Sequence, residues 1–87
     1  MEKYRRNSRT ISGRLHDEMV MMDIEQGKYF SLNPVATRIW DLLENPMTPE
    51  EICGHLAEEY EVEMLQCRAE VGELVKEMER LGLVVIG

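Results

Sequence analysis

Residues 27–40 read GKYFSLNPVATRIW, an apolar strand that runs into a helix with almost no loop between them. Asn33 is a strong helix N-cap, and Pro34 suits the first helical position, where its missing N–H would have had no partner anyway. Ala36, Ile39, Trp40 and Leu43 then recur at i, i+3, i+4 and i+7, the stripe of an amphipathic helix. ENPM closes that helix, because Asn45 precedes a proline and is pushed away from helical geometry. Lys28–Leu32 is therefore a strand, and what pairs with it decides the rest.

Upstream, RTISGRLHDEMVMMDIEQGKYFSLN reads as strands. MVMMDI is too short for a good helix, and EQGK after it is a turn signal. A two-residue turn at Gln26-Gly27, with Gly27 at positive φ, predicts the pairs Glu25–Lys28, Ile24–Tyr29, Asp23–Phe30 and Met21–Leu32. The strand period of two then puts Met19, Met21, Phe30 and Leu32 on one face and Val20, Met22, Ile24 and Tyr29 on the other. Both faces are apolar, unusual for a hairpin in so small a chain. A weaker strand over Thr10–Leu15 is expected on the far side of Met19–Ile24.

Downstream, TPEE marks a second helix: Thr48 as N-cap, Pro49 at the first position, Glu51 closing a capping box, and Met47 with Ile52 as a hydrophobic staple. Ile52, Leu56 and Tyr60 are predicted to face inward. A third helix spans about Met64 to Leu81 and stops at Gly82, a natural C-terminal cap; Val62 can staple onto Cys67 at its start. Its predicted core stripe is Met64, Cys67, Val71, Leu74, Met78 and Leu81. One flank carries Glu63, Glu70 and Glu77, a solvated acidic edge. The other carries Arg68, Gly72, Val75 and Glu79, where Gly72 costs about 0.8–1 kcal/mol against alanine and either admits a neighbouring backbone or is tolerated surface. LVVI, residues 83–86, is a short last strand. The whole is an α+β chain of winged helix-turn-helix type: an N-terminal three-stranded antiparallel sheet followed by three helices, with residues 1–8 a flexible basic tail and 9–87 one domain.

Composition narrows the function. Eighty-seven residues leave room for one core. No apolar run reaches the roughly 20 residues of a membrane helix, and MEKYRRNSRT has no apolar segment of a secretory signal. No membrane association and a cytoplasmic location are expected. Cys53 and Cys67 then read as free thiols; with His55 and His16 they match no common zinc spacing, so no metal is expected. Net charge is −7, although Lys3, Arg5, Arg6, Arg9 and Arg14 crowd the start. A DNA-reading winged helix needs cations on its recognition helix. Here Arg68, Lys76 and Arg80 are outnumbered by Glu70, Glu73, Glu77 and Glu79, which argues against nucleic acid. No nucleophile elbow or phosphate-cradling glycine loop is present, and a domain this small has little room for a substrate pocket, which argues against catalysis and a cofactor.

A binding module remains. Edge strands are commonly blunted by proline, bulges or charges; Lys28–Leu32 offers only Lys28. A peptide could add there as a further strand, main-chain hydrogen bonds supplying affinity and alternate side chains specificity, unless LVVI or a second copy of the chain closes that edge.

MMDIEQGKYFSLNPVATRIWDLL followed by TPEEICGHLAEEYEV resembles the PqqD-like family, recognition elements that bind leader peptides of ribosomally made, post-translationally modified peptides. The likeness lies in an apolar strand, Asp23, Gly27, Tyr29-Phe30, Leu32-Asn33, Ile39-Trp40 and a capped second helix with Ile52 and Leu56, and extends to LGLV, covering roughly residues 15 to 85. It implies a non-catalytic, winged-helix-like domain that captures a leader along its third strand and third helix. Carried onto this chain, the peptide site is Lys28, Tyr29, Phe30, Ser31 and Leu32 facing Arg68, Val71, Gly72, Val75 and Met78. The Asp23–Phe30 turn is more similar to the discrete leader-binding proteins of lasso-peptide pathways, which work with a separate leader peptidase and a macrolactam-forming cyclase, than to the pyrroloquinoline quinone chaperone. The implied partners are thus a precursor leader peptide, that peptidase and that cyclase. Apart from the resemblance, a monomer is expected, with the oligomeric state left open. A peptide chaperone of another pathway, or a winged-helix adaptor or transcriptional module, is the alternative. Asp23 and Trp40 read as turn partner and core anchor.

Overall fold

The hairpin named by the opening stretch is the centre of the sheet. The computed structural model describes residues 2–16 and 18–87, the Leu15 side chain excepted. Its elements are β1 (Tyr4–Arg6), β2 (Thr10–Leu15), β3 (Glu18–Asp23), β4 (Lys28–Leu32), α1 (Pro34–Leu42), α2 (Pro49–Glu59), α3 (Met64–Arg80) and β5 (Val84–Ile86). An antiparallel sheet of order β2-β3-β4 precedes the three helices, the expected α+β arrangement, while β1 and β5 form a second, two-stranded sheet. The likeness to a winged helix-turn-helix is a loose one.

The β3–β4 register differs from the expected one by two residues. Asp23 pairs with Lys28, Met21 with Phe30 and Met19 with Leu32, leaving Ile24–Gly27 as a four-residue loop. Asp23 causes this: its Oδ1 accepts from the Glu25 and Gln26 N–H groups at 3.1 and 3.3 Å, folding the chain before Ile24 can join the ladder. Gly27 takes the positive φ, 65°. A two-residue slip leaves every side chain on its own face, so Met19, Met21 and Leu32 are buried and Phe30 packs against the core from its margin, as the alternation predicts.

The helix punctuation follows the sequence closely. Asn33 Oδ1 accepts from the Ala36 N–H at 2.7 Å, and Thr48 and Glu51 complete the capping box in both directions. Ala36, Ile39, Trp40 and Leu43 are all buried. At the end of α3, Gly82 adopts φ 81°. Its N–H reaches Glu79 O and the Leu83 N–H reaches Met78 O, each at 2.9 Å, which satisfies the last carbonyls and turns the chain into β5.

The N-terminus departs from expectation. Residues 4–6, predicted as part of a flexible tail, form β1, paired Tyr4↔Ile86, Arg5↔Val85 and Arg6↔Val84. Tyr4 is buried and also bridges Met47, its N–H donating to Met47 O at 2.7 Å. Arg6 lies over the Trp40 ring, 4.8 Å from its centroid, and donates to Trp40 O through Nε and Nη2 at 3.0 and 2.7 Å. Helix α1 has no basic residue in its last turn. Arg6 supplies that cation from another strand, at the negative end of the helix dipole.

Candidate functional site

β5 goes to β1, so it does not close the hairpin. Among the described residues nothing pairs with the outer edge of β4. Among the described residues its backbone groups that turn away from β3 have no strand partner, the condition that invites an added strand. Of its side chains, Tyr29 points outward and is 73% exposed, Phe30 is half-buried and Leu32 is buried. The Ser31 hydroxyl donates to Glu18 Oε2 at 3.1 Å, across the ladder on the outward face.

Helix α3 is turned differently from the predicted phase. Its buried residues are Cys67, Val71, Val75 and Met78. Val75, expected on the wall of a groove, is 1% exposed and lies in the core. Val71 and Met78 are likewise core residues. Arg68 is exposed and Gly72 half-buried; by the 100° step of a helix they share the shoulder on the Val75 side. Nothing stands within 4 Å of a Cβ built at Gly72, so no close backbone contact explains that glycine. Met64, read as a core position, is 41% exposed, and Tyr60, predicted to face inward, is 49% exposed. Leu74, also read as core, is only half-buried.

The opposite shoulder of α3, the supposed solvated acidic edge, carries the hollow. A cavity of about 470 Å³ lies among Val35 at the start of α1, Leu56 and Tyr60 at the end of α2, Val62 in the connection, and Cys67, Val71 and Leu74 on α3, with Glu61, Glu63, Gln66 and Glu70 around it. A shallower one of about 370 Å³ shares Val35, Glu70 and Leu74 and runs on to Asn33, Glu73 and Glu77. Together they make one trench along α3 that ends at Asn33, the residue following β4. Of its residues, Val71 alone belongs to the peptide site read from sequence. Val35 was the available signal: it is an apolar residue in the first turn of α1, off that helix's buried stripe, and is 48% exposed.

The remaining chemistry of the site is quiet. Cys53 and Cys67 are buried free thiols; burial first, and the Cys67 sulfur beside it second, push the Cys53 thiol up to about 11, far from a reactive thiolate. His16 and His55 are exposed, and among the described residues no three His, Cys, Asp or Glu side chains gather as metal ligands. No described helix is long and apolar enough to cross a membrane. Arg38 clamps Glu59 through two bonds of 2.6 and 2.5 Å, tying α1 to α2 beside the cavity; that hydrogen-bonded fork holds the Glu59 carboxyl below its ordinary range.

An open strand edge beside an apolar trench can hold an extended chain by main-chain pairing and side-chain insertion. The family model of coenzyme PQQ synthesis protein D, PqqD, matches residues 18–84, from β3 through α3 into β5. The chain belongs to the PqqD family. No curated protein sequence matches it. Among solved structures, TbiB1 in complex with the TbiA(beta) leader peptide is similar to this PqqD-family chain at 29% identity and TM-score 0.84, over 92% of this chain and 93% of that one. Lasso peptide synthetase B1 complexed with the leader peptide is similar at 26% identity and TM-score 0.84, over 94% and 96%.

Proposed function

We propose that this chain binds the leader region of a ribosomally synthesised precursor peptide as a strand added to β4, and presents the precursor to the leader peptidase and macrolactam cyclase of a lasso-peptide pathway, with no catalysis of its own. The observation that carries this is the unpaired edge of Lys28–Leu32 beside the α3 trench, in a fold similar over more than nine-tenths of its length to two leader-bound proteins. In this role Lys28, Tyr29, Phe30, Ser31 and Leu32 supply the backbone ladder. Leu74 lines the trench, and Val71 forms part of its floor. Val75 and Met78 act from beneath, by holding α3 in place. Arg68 and Gly72, on the other shoulder, are the members of the predicted site with least to offer the peptide.

The test is a titration of isotope-labelled protein with leader peptides encoded by short reading frames beside its gene. Amide shifts concentrated at Lys28–Asn33 and along Glu70–Glu77 are the expected result. Amides in both segments that stay still with every leader would overturn the proposal.

A further inference from the structure

The trench has a sign. Seven of its residues are apolar: Val35, Leu56, Tyr60, Val62, Cys67, Val71 and Leu74. Glu61, Glu63, Glu70, Glu73 and Glu77 supply its carboxylates, and no lysine or arginine lines either hollow. These acids are not equally engaged. Glu63 caps α3 by accepting from the Leu65 and Gln66 N–H groups at 3.2 and 2.9 Å. Glu77 is held by Arg80, whose hydrogen bond keeps its carboxyl below the ordinary range. Glu70 accepts one bond, from Gln66 Nε2 at 3.2 Å. Glu61 and Glu73 have no ion pair or side-chain hydrogen bond among the described residues. One cation, Arg80, sits on Glu77 at the end of the trench; Arg6 lies on Trp40, Arg9 on Glu25, Arg14 on Asp41 and Arg38 on Glu59.

We infer that the trench selects its peptide by charge, taking a segment in which an apolar side chain is flanked by lysine or arginine at alternate positions. The apolar residue fills the hollow between Tyr60, Val62 and Leu74, and the flanking cations meet Glu61 at one end and Glu70 and Glu73 at the other. An acidic leader in the same place would set its carboxylates against these five, an unfavourable like-charge contact. This rests on the leader-binding role proposed above and adds the sign of the ligand.

The test uses two synthetic peptides, the leader encoded beside the gene and the same leader with every lysine and arginine replaced by glutamine. They are measured against the native chain and against the Glu61→Gln/Glu70→Gln/Glu73→Gln variant. All three positions are exposed, and the variant's amide spectrum reports its fold directly. The native chain is expected to prefer the basic peptide by about tenfold, the sum of two or three exposed ion pairs. That preference should shrink at about 0.5 M salt, where the screening length falls to about 4 Å. The triple variant should lose most of it while both peptides still shift the amides of Lys28–Asn33. A Glu70→Lys/Glu73→Lys chain should turn the preference toward a leader whose basic residues are made glutamate. Equal affinity of the native chain for both peptides, with the β4 amides still shifting, overturns the charge filter and leaves leader binding standing. Peptides that leave β4 unmoved overturn both.

Discussion

The two outer strands of the three-stranded sheet pair with the same central strand, yet what lies on their inward faces differs. Opposite Met19 and Met21 of β3, β4 places Leu32 and Phe30, whereas β2 places Arg14 and Ser12. The apolar floor of the sheet therefore stops at β3 on one side and continues under β4 on the other, up to the trench. Arg14 is not over the core at all; its guanidinium reaches Asp41 of α1 at 3.3 Å. Both strands end the sheet, but a peptide added at β2 would find polar side chains beneath it, while one added at β4 would find Phe30 and Leu32, with the hollow at the Asn33 end of the strand. An unpaired edge is a general hazard. On the proposed function, the apolar depression at the end of β4 is what makes one edge selective.

The largest effects should come from the row that crosses the sheet. Met21→Ala is expected to cost about 2–5 kcal/mol, since Met21 is fully buried, whereas Ser12→Ala, its neighbour on β2, should change stability by less than about 0.5 kcal/mol; urea unfolding of both variants checks the contrast, and equal losses would mean that β2 also covers the core. On α3, Val75→Lys should prevent stable folding by burying an unpaired charge. Leu74→Asn, one residue on, should leave a folded chain with leader affinity reduced about tenfold by the loss of an apolar anchor. If Val75→Lys instead folds and only binding suffers, the helix is turned as first predicted. Hydrogen exchange sharpens the comparison between edges: saturating leader should slow the outward amides of β4 by about tenfold or more and leave those of β2 unchanged. The smallest effect belongs to Arg14→Ala, expected to lose no more than about 1 kcal/mol because its pair with Asp41 is half-exposed.

What could be read from sequence was what short-range rules decide. Asn33-Pro34, Thr48 with Glu51, and Gly82 set helix ends through contacts within a few residues, and all three lie where they were expected. The faces of β3 and β4 were equally legible, because alternation survives the two-residue register error that Asp23 introduces by gathering the turn amides. The phase of α3 was not. Leu74 and Val75 are adjacent and apolar, either completes a stripe with Val71 and Met78, and the choice is made by the elements that pack against the helix. That one-residue ambiguity turned the expected groove toward Arg68 and Gly72, whereas the hollows lie along the shoulder of Glu70 and Glu77. β1 was hidden for a related reason: a single tyrosine among arginines carries no periodicity, and its partners lie some eighty residues away on β5.

The pairing of β1 with β5 has a practical consequence. The Gly87 N–H donates to Lys3 O at 3.1 Å, so both ends of the fold leave through one doorway. A host protein whose surface loop opens by the width of a strand pair, about 5 Å, can carry the fold as a spliced-in cassette without pulling its ends apart. Joining residues 3 and 87 through a short linker and reopening the chain elsewhere should likewise give a circular permutant with the β4 edge intact.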